Sequence, residues 1–187
     1  MQEKKLPPGQ SWREDLIVYD IAPLPPLDLR NFRLRVFGRV RHPCELSWEE
    51  LQALPRQRIR ADFHCVEGWS VPDLVWEGVP AAAILHLVRP EPEAAWVLAH
   101  GHEGYTTTVP FAYFSRPDTL LAFSLNGEPL PPQHGWPLRL VVPSLYAWKS
   151  AKYLVALEFL RDLRRGHWEE KGYHDVGDPW REERRRL

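Results

Sequence analysis

The chain has 187 residues, 44% of them hydrophobic and nine of them Trp, which fits a folded domain with a substantial core and excludes a disordered chain. A formal charge of −1 excludes the basic excess of a duplex-binding protein, and two cysteines exclude a disulfide framework. Nineteen prolines, about twice a usual share of roughly 5%, argue for many turns and against a helix bundle.

The opening residues, Met1 to Gly9, carry no apolar segment of the export type and no twin-arginine pattern. No run approaches the ~18 apolar residues of a membrane span. A cytoplasmic protein with reduced thiols is therefore expected. One domain is expected over 1–187, with a core over 30–160, an arm over 1–30 and a tail over 161–187. The arm is polar and proline-rich, with a short apolar patch at Leu16 to Tyr19.

Phe32, Leu34 and Val36 alternate with Arg33 and Arg35, the period of a strand. Cys44 follows Pro43 near a strand end and is read as structural. Ser47-Trp48-Glu49-Glu50 is a capping box that starts a short helix, which Pro55 terminates. Ile59, Ala61 and Phe63 alternate with Arg58, Arg60 and Asp62, so a half-buried strand leads to Cys65. Cys65 is in phase with the apolar set, which points its sulfur inward where the strand runs into a loop with Glu67 and Gly68. Pro80 to Val88 reads as a helix. Trp96 to Ala99 and Tyr105 to Val109 read as strands joined by Gly101-His102-Glu103-Gly104. Leu120 to Leu125 fits strand or helix, and Asn126-Gly127 is a turn signal. Leu138 to Val142 is an apolar strand interrupted by Arg139, and Leu154 to Leu160 is another. The terminal Arg181-Glu182-Glu183-Arg184-Arg185-Arg186 mixes both signs and reads as a solvated end. Short helices among many short strands give an α+β fold with a mixed or antiparallel sheet.

Two stretches carry chemistry. In the first, Cys65 is placed to meet a bound cofactor, and Glu67 is either a solvated loop acid or a proton donor in a pocket. In the second, Arg139 lies on its strand just after His134, while Lys149 and Lys152 flank Ser150 in a turn. A guanidinium fork, ammonium groups and turn amides together suit a terminal phosphate.

In order along the chain stand His64-Cys65-Val66-Glu67-Gly68-Trp69-Ser70, Trp76-Glu77-Gly78-Val79-Pro80, Asn126-Gly127-Glu128-Pro129-Leu130, Gln133 to Pro143 and Tyr146 to Tyr153. This series resembles the sulfite-oxidase-like molybdopterin oxidoreductases over residues 30–160. The tail, from Gly166-His167-Trp168-Glu169 to Gly177-Asp178-Pro179-Trp180, resembles the compact bacterial branch. The resemblance implies a sulfite-oxidase-type fold and one molybdenum, held by the dithiolene of a molybdopterin and by the thiolate of Cys65. A soft thiolate suits such a metal. It implies that His134, Arg139, Ser150, Lys152 and the Ala151 backbone hold the pterin and its phosphate, with Lys149 and the His102 loop beside them. Sulfite oxidases proper resemble Cys-Ala-Gly-Asn-Arg after the metal ligand. Here Val66-Glu67-Gly68-Trp69 has no arginine, and Glu67 resembles the acid of the branch that repairs methionine sulfoxide. The expected activity is two-electron oxygen-atom transfer on a small S- or N-oxide or sulfite-like substrate. The expected partners are that substrate and an external electron donor or acceptor protein, with no nucleic acid and no membrane span.

Two other readings stay open on these residues. Cys65 could serve a cysteine hydrolase with His64, His100 or His102 as base, although adjacent His64 and Cys65 would point to opposite faces of a continuing strand. The chain could also be a non-catalytic module that binds a pterin or a redox partner.

Overall fold

A computed structural model describes residues 4–23 and 26–186; residues 1–3, 24–25 and 187 of the expected arm and tail lie outside the described residues. In chain order the elements are β1 (Ser11–Trp12), β2 (Arg33–Gly38), β3 (Cys44–Ser47), α1 (Trp48–Ala53), β4 (Gln57–His64), β5 (Trp69–Pro80) and α2 (Ala81–Val88). They continue with β6 (Trp96–Gly101), β7 (Thr106–Pro110), α3 (Phe111–Phe114), β8 (Leu120–Leu125), β9 (Glu128–Pro129), β10 (Arg139–Val141), β11 (Leu154–Leu160) and α4 (His167–Glu170).

The local signals act as chemistry dictates. Ser47 Oγ accepts from the Glu50 amide, and the Glu50 carboxylate accepts from the Ser47 amide, so both arms of the capping box are made at α1. Asn126 and Gly127 both adopt positive φ, the conformation of a two-residue hairpin turn, and Leu125 pairs with Glu128 across it. That settles Leu120 to Leu125 as strand β8. The helix expected over Pro80 to Val88 begins at Ala81, with Pro80 extended at its N-cap.

Two mixed sheets result. In the first, β1, β5, β8 and β10 lie in that order, with β4 on β5 and β9 on β8; the second runs β3, β2, β11, β6, β7. β1–β5 and β2–β11 are parallel pairs, and the others are antiparallel. Together with the few short helices this is the expected α+β class.

The larger core lies between the sheets. Leu34, Val36, Val97, Leu157 and Phe159 of the second sheet pack with Val79, Leu121 and Leu140 of the first. The period-two alternation of strands then sends the intervening residues to the other face. Leu120, Ala122 and Val141 join Phe63, Trp69 and Trp76 in a second cluster there, which includes Cys65. Arg139 is two residues from Val141 on the same strand and therefore shares that outer face. Among the described residues, no helix is long and apolar enough to cross a membrane.

Candidate active site

β4 ends at His64, and the chain turns through Cys65 to Gly68 into β5. The Cys65 amide donates to Trp69 O at 2.8 Å and the Gly68 amide to Cys65 O at 3.1 Å, which closes the turn. Gly68 has φ +95°, and a Cβ on it would stand 3.2 Å from the Gly9 carbonyl oxygen, so the turn requires glycine. Cys65 is buried and borders a cavity on the outer face of the first sheet. Burial pushes its thiol up to about 11, and the Glu67 carboxylate adds to that push. A neutral thiol in these surroundings becomes a thiolate only beside a metal or another strong positive charge.

The same cavity is lined by Glu67, His134, Arg139, Ser150 and Lys152. The Arg139 guanidinium lies 4.9 Å from the Phe63 ring centroid and 5.6 Å from that of Trp76. It donates to His134 O at 3.1 Å, but its buried Nε has no partner. Burial lowers its pKa to about 10. Lys152 Nζ donates to Gln133 O at 3.2 Å and Tyr19 O at 2.9 Å, and it pairs with the Asp20 carboxylate. Gly135, at φ +112°, lies between the two basic residues: a Cβ there would stand 3.2 Å from Arg139 Cβ and 3.1 Å from Lys152 Cβ. The two cations thus flank one turn. Ser150 is buried, and its Oγ accepts from the Val142 amide at 3.0 Å, which ties the basic turn to the end of β10.

Three expected contacts do not line this cavity. Lys149 is fully buried, and its ammonium donates to Glu169 Oε1 at 2.5 Å, Thr108 O at 2.6 Å and Asp175 O at 2.7 Å. With all three protons engaged it joins the tail to β7 and does not line the cavity. Ala151 lies in the inter-sheet core, and its carbonyl accepts from the Leu140 amide. His102 borders a separate groove with His100, Arg33 and Arg35, because the turn after β6 sends it away from Cys65.

Sequence reasoning missed part of the wall. Leu16 to Ile21 of the arm line one side, with Tyr19 stacked on Trp69 at 6.5 Å between centroids. The apolar patch of the arm was the signal. Glu103 and Tyr173 also line the cavity; burial raises the pKa of the Glu103 carboxyl, whose Oε2 has no partner. The solvated-end reading of the tail does not hold: Arg184 donates to Val66 O, and Arg186 pairs with Asp175.

The hydrolase reading loses its bases. His64 Nδ1 is bonded to Ser70 Oγ at 2.8 Å, and His100 Nε2 to the Glu158 carboxylate at 3.2 Å. Neither lines the cavity, nor does His102.

Among the described residues there is no group of three or more His, Cys, Asp or Glu side chains placed to hold a metal alone. A metal at Cys65 would therefore need further ligands from a cofactor. The donor set fits one: a lone thiol, an unpartnered buried guanidinium donor and a second cation border one cavity.

Comparison with known proteins agrees with this chemistry. The family model described as the oxidoreductase molybdopterin binding domain matches residues 21–168. The chain is similar to a Bacillus subtilis (strain 168) protein described as the uncharacterized oxidoreductase YuiH, with 43% identity over 98% of this chain and 93% of that one. It is also similar to the catalytic subunit of the protein-methionine-sulfoxide reductase MsrP of Campylobacter jejuni, with 28% identity over 79% of this chain, spanning 55% of that relative. In fold it is similar to the sulfane dehydrogenase SoxCD of Paracoccus pantotrophus, with a TM-score of 0.70 at 24% identity over 80% of this chain and 42% of that one. The chain therefore belongs to the sulfite-oxidase-like molybdopterin-binding oxidoreductases, enzymes that work with a molybdenum–molybdopterin cofactor.

Proposed function

We propose that this chain reduces a small neutral S-oxide or N-oxide, taking electrons from an external donor protein, and that sulfite is a poor substrate. The observation that carries this is the exposed Glu67 carboxylate in the lining of the Cys65 cavity, with no arginine following the cysteine. A negative charge there repels an anion such as sulfite. Aromatic side chains of Trp69, Trp148, Trp168 and Tyr173 also line the cavity and suit a polarisable, uncharged sulfur group. The name of the Campylobacter relative, the catalytic subunit of a protein-methionine-sulfoxide reductase, supports the S-oxide class and a second component beside the catalytic one.

Cys65 is the metal ligand in this reading, and Arg139 and Lys152 hold the terminal phosphate, with His134 at the rim and Ser150 fixing the turn. When bound, the molybdenum cofactor supplies the two-electron oxygen-atom chemistry. The balanced reaction consumes the S-oxide, two electrons and two protons, and yields the sulfide and water. Glu67, exposed and in the lining of the same cavity, would pass protons from solvent to the substrate oxygen. Phe63 and Trp76 flank Arg139 and exclude water from its guanidinium face, which strengthens its grip on an anion.

Steady-state assays of the molybdenum-loaded chain with a dye donor test this. Methionine sulfoxide or trimethylamine N-oxide should turn over, and Glu67→Gln should lower kcat by about a hundredfold or more, as for loss of a positioned acid. Efficient sulfite oxidation without reduction of either oxide would overturn the proposal.

A further inference from the structure

The Cys65 turn is held from outside the 21–168 span that matches the family model. Three of its four carbonyls, those of Cys65, Val66 and Gly68, accept bonds from terminal segments of the chain. Gln10 Nε2 donates to Cys65 O at 3.0 Å, the Ser11 amide donates to Gly68 O at 2.9 Å, and the Arg184 guanidinium donates to Val66 O. Arg184 also donates to Gly9 O at 3.2 Å and Pro8 O at 3.3 Å, and its guanidinium lies 5.3 Å from the Tyr146 ring centroid. One side chain from the tail thus fastens the cysteine turn to the N-terminal segment.

The orientation of Gln10 is itself fixed. Ser70 Oγ donates its proton to Gln10 Oε1 at 3.0 Å and lies 2.8 Å from His64 Nδ1. Having given its proton to Gln10, that hydroxyl must accept from the histidine, which puts the ring proton on Nδ1. Gln10 then has its oxygen occupied and its amide nitrogen aimed at Cys65. Each member of the chain His64, Ser70, Gln10 and Cys65 determines the next.

We propose that Gln10 and Arg184 are positioning residues that fix the Cys65 sulfur in its metal-binding orientation, a role that rests on Cys65 being the ligand. They act on the two peptide units that follow the sulfur-bearing Cα, which set where that sulfur points. Neither side chain lines the cavity, so both act through the backbone of the turn.

The test uses the full chain in two forms. In the cofactor-free protein, hydrogen exchange of the amides of residues 66–69 should speed up roughly ten- to a hundredfold in Arg184→Ala, the loss of about one charge-assisted bond. In the molybdenum-loaded protein the same variant should shift the molybdenum(V) electron paramagnetic resonance g-values, which report the geometry of the metal–thiolate bond. Arg184→Lys should restore part of both effects. Arg181→Ala, in the same tail but outside the clamp, should change neither. Gln10→Glu keeps the acceptor for Ser70 but sets a carboxylate against the Cys65 carbonyl, so it should shift the signal even if Arg184→Ala fails to fold. Unchanged exchange and an unchanged spectrum in Arg184→Ala and Gln10→Glu would overturn the proposal. Faster exchange in a protein that binds no molybdenum would leave the clamp standing and remove the metal reading of Cys65 instead.

Discussion

The stretch over 21–168 and the two terminal segments divide the labour of the site unequally. The first supplies the groups with chemistry: Cys65 at a strand end, Arg139 on β10 and Lys152 in the turn before β11. Their positions follow from strand alternation and from a core packed between two sheets. The terminal segments supply walls and fastenings: Leu16 to Asp20 over the cavity, Tyr173 in its wall, and Gln10 and Arg184 on the cysteine turn. Reactive groups are held where the backbone is most constrained, and their fine geometry is set by segments with fewer constraints of their own. A change inside the first group should abolish function, and one in the second should modulate it.

The largest expected effect is at Cys65. Cys65→Ser should bring turnover to background and leave circular dichroism unchanged, since a hydroxyl replaces a soft thiolate poorly. Cys44→Ser, on the half-buried β3 strand, should match the parent in the same assay.

Next is the buried pair that joins the tail to β7. Lys149→Ala strands the Glu169 carboxylate without its cation in a site closed to water. Denaturant unfolding should report a loss of about 3–5 kcal/mol, as for breaking a buried ion pair. If Lys149 were instead a cofactor contact, the variant would keep its stability and lose molybdenum.

Lys152→Ala should be smaller in stability and larger in cofactor content. Removing one charge-assisted bond of ~1.5–3 kcal/mol lowers cofactor retention roughly tenfold to a hundredfold. The metal-to-protein ratio after gel filtration measures it. The smallest effect is expected at Asp20→Asn, which removes the carboxylate partner of Lys152 on the partly exposed arm. Its unfolding midpoint should move by less than about 1 kcal/mol of stability. A large loss would mean that the arm is part of the core.

How much of this was legible in the sequence differs by element. β2 and β4 were readable because each alternates apolar and polar residues, β10 because it is an apolar run broken by Arg139 alone, and the phase of β4 put Cys65 inward. The long strand β5 was not, because Pro72, Asp73 at φ +57° and Gly78 break its pattern, and its pairing shifts register against both β4 and β8. The basic turn was readable as a cluster, but not which lysine faced the cavity. Lys149 closes a one-turn 3-10 helix, and its acceptors lie on distant segments, at Thr108, Glu169 and Asp175. Spacing within the turn carries no trace of them. Arg184 was hidden for a related reason. Its partners are backbone carbonyls, which any sequence supplies, so a mixed-charge tail looks solvated until the fold brings Val66 and Gly9 beneath it.

In the proposed site Cys65 gives its sulfur to a molybdenum held by one molybdopterin. X-ray absorption at the molybdenum edge tests it most directly, on protein produced in a molybdenum-replete host and quantified by elemental analysis. One molybdenum per chain is expected, with three sulfur ligands, two from the dithiolene and one from the protein, falling to two in Cys65→Ser. A chain that takes up no molybdenum, or a sulfur count that the substitution leaves unchanged, would contradict it.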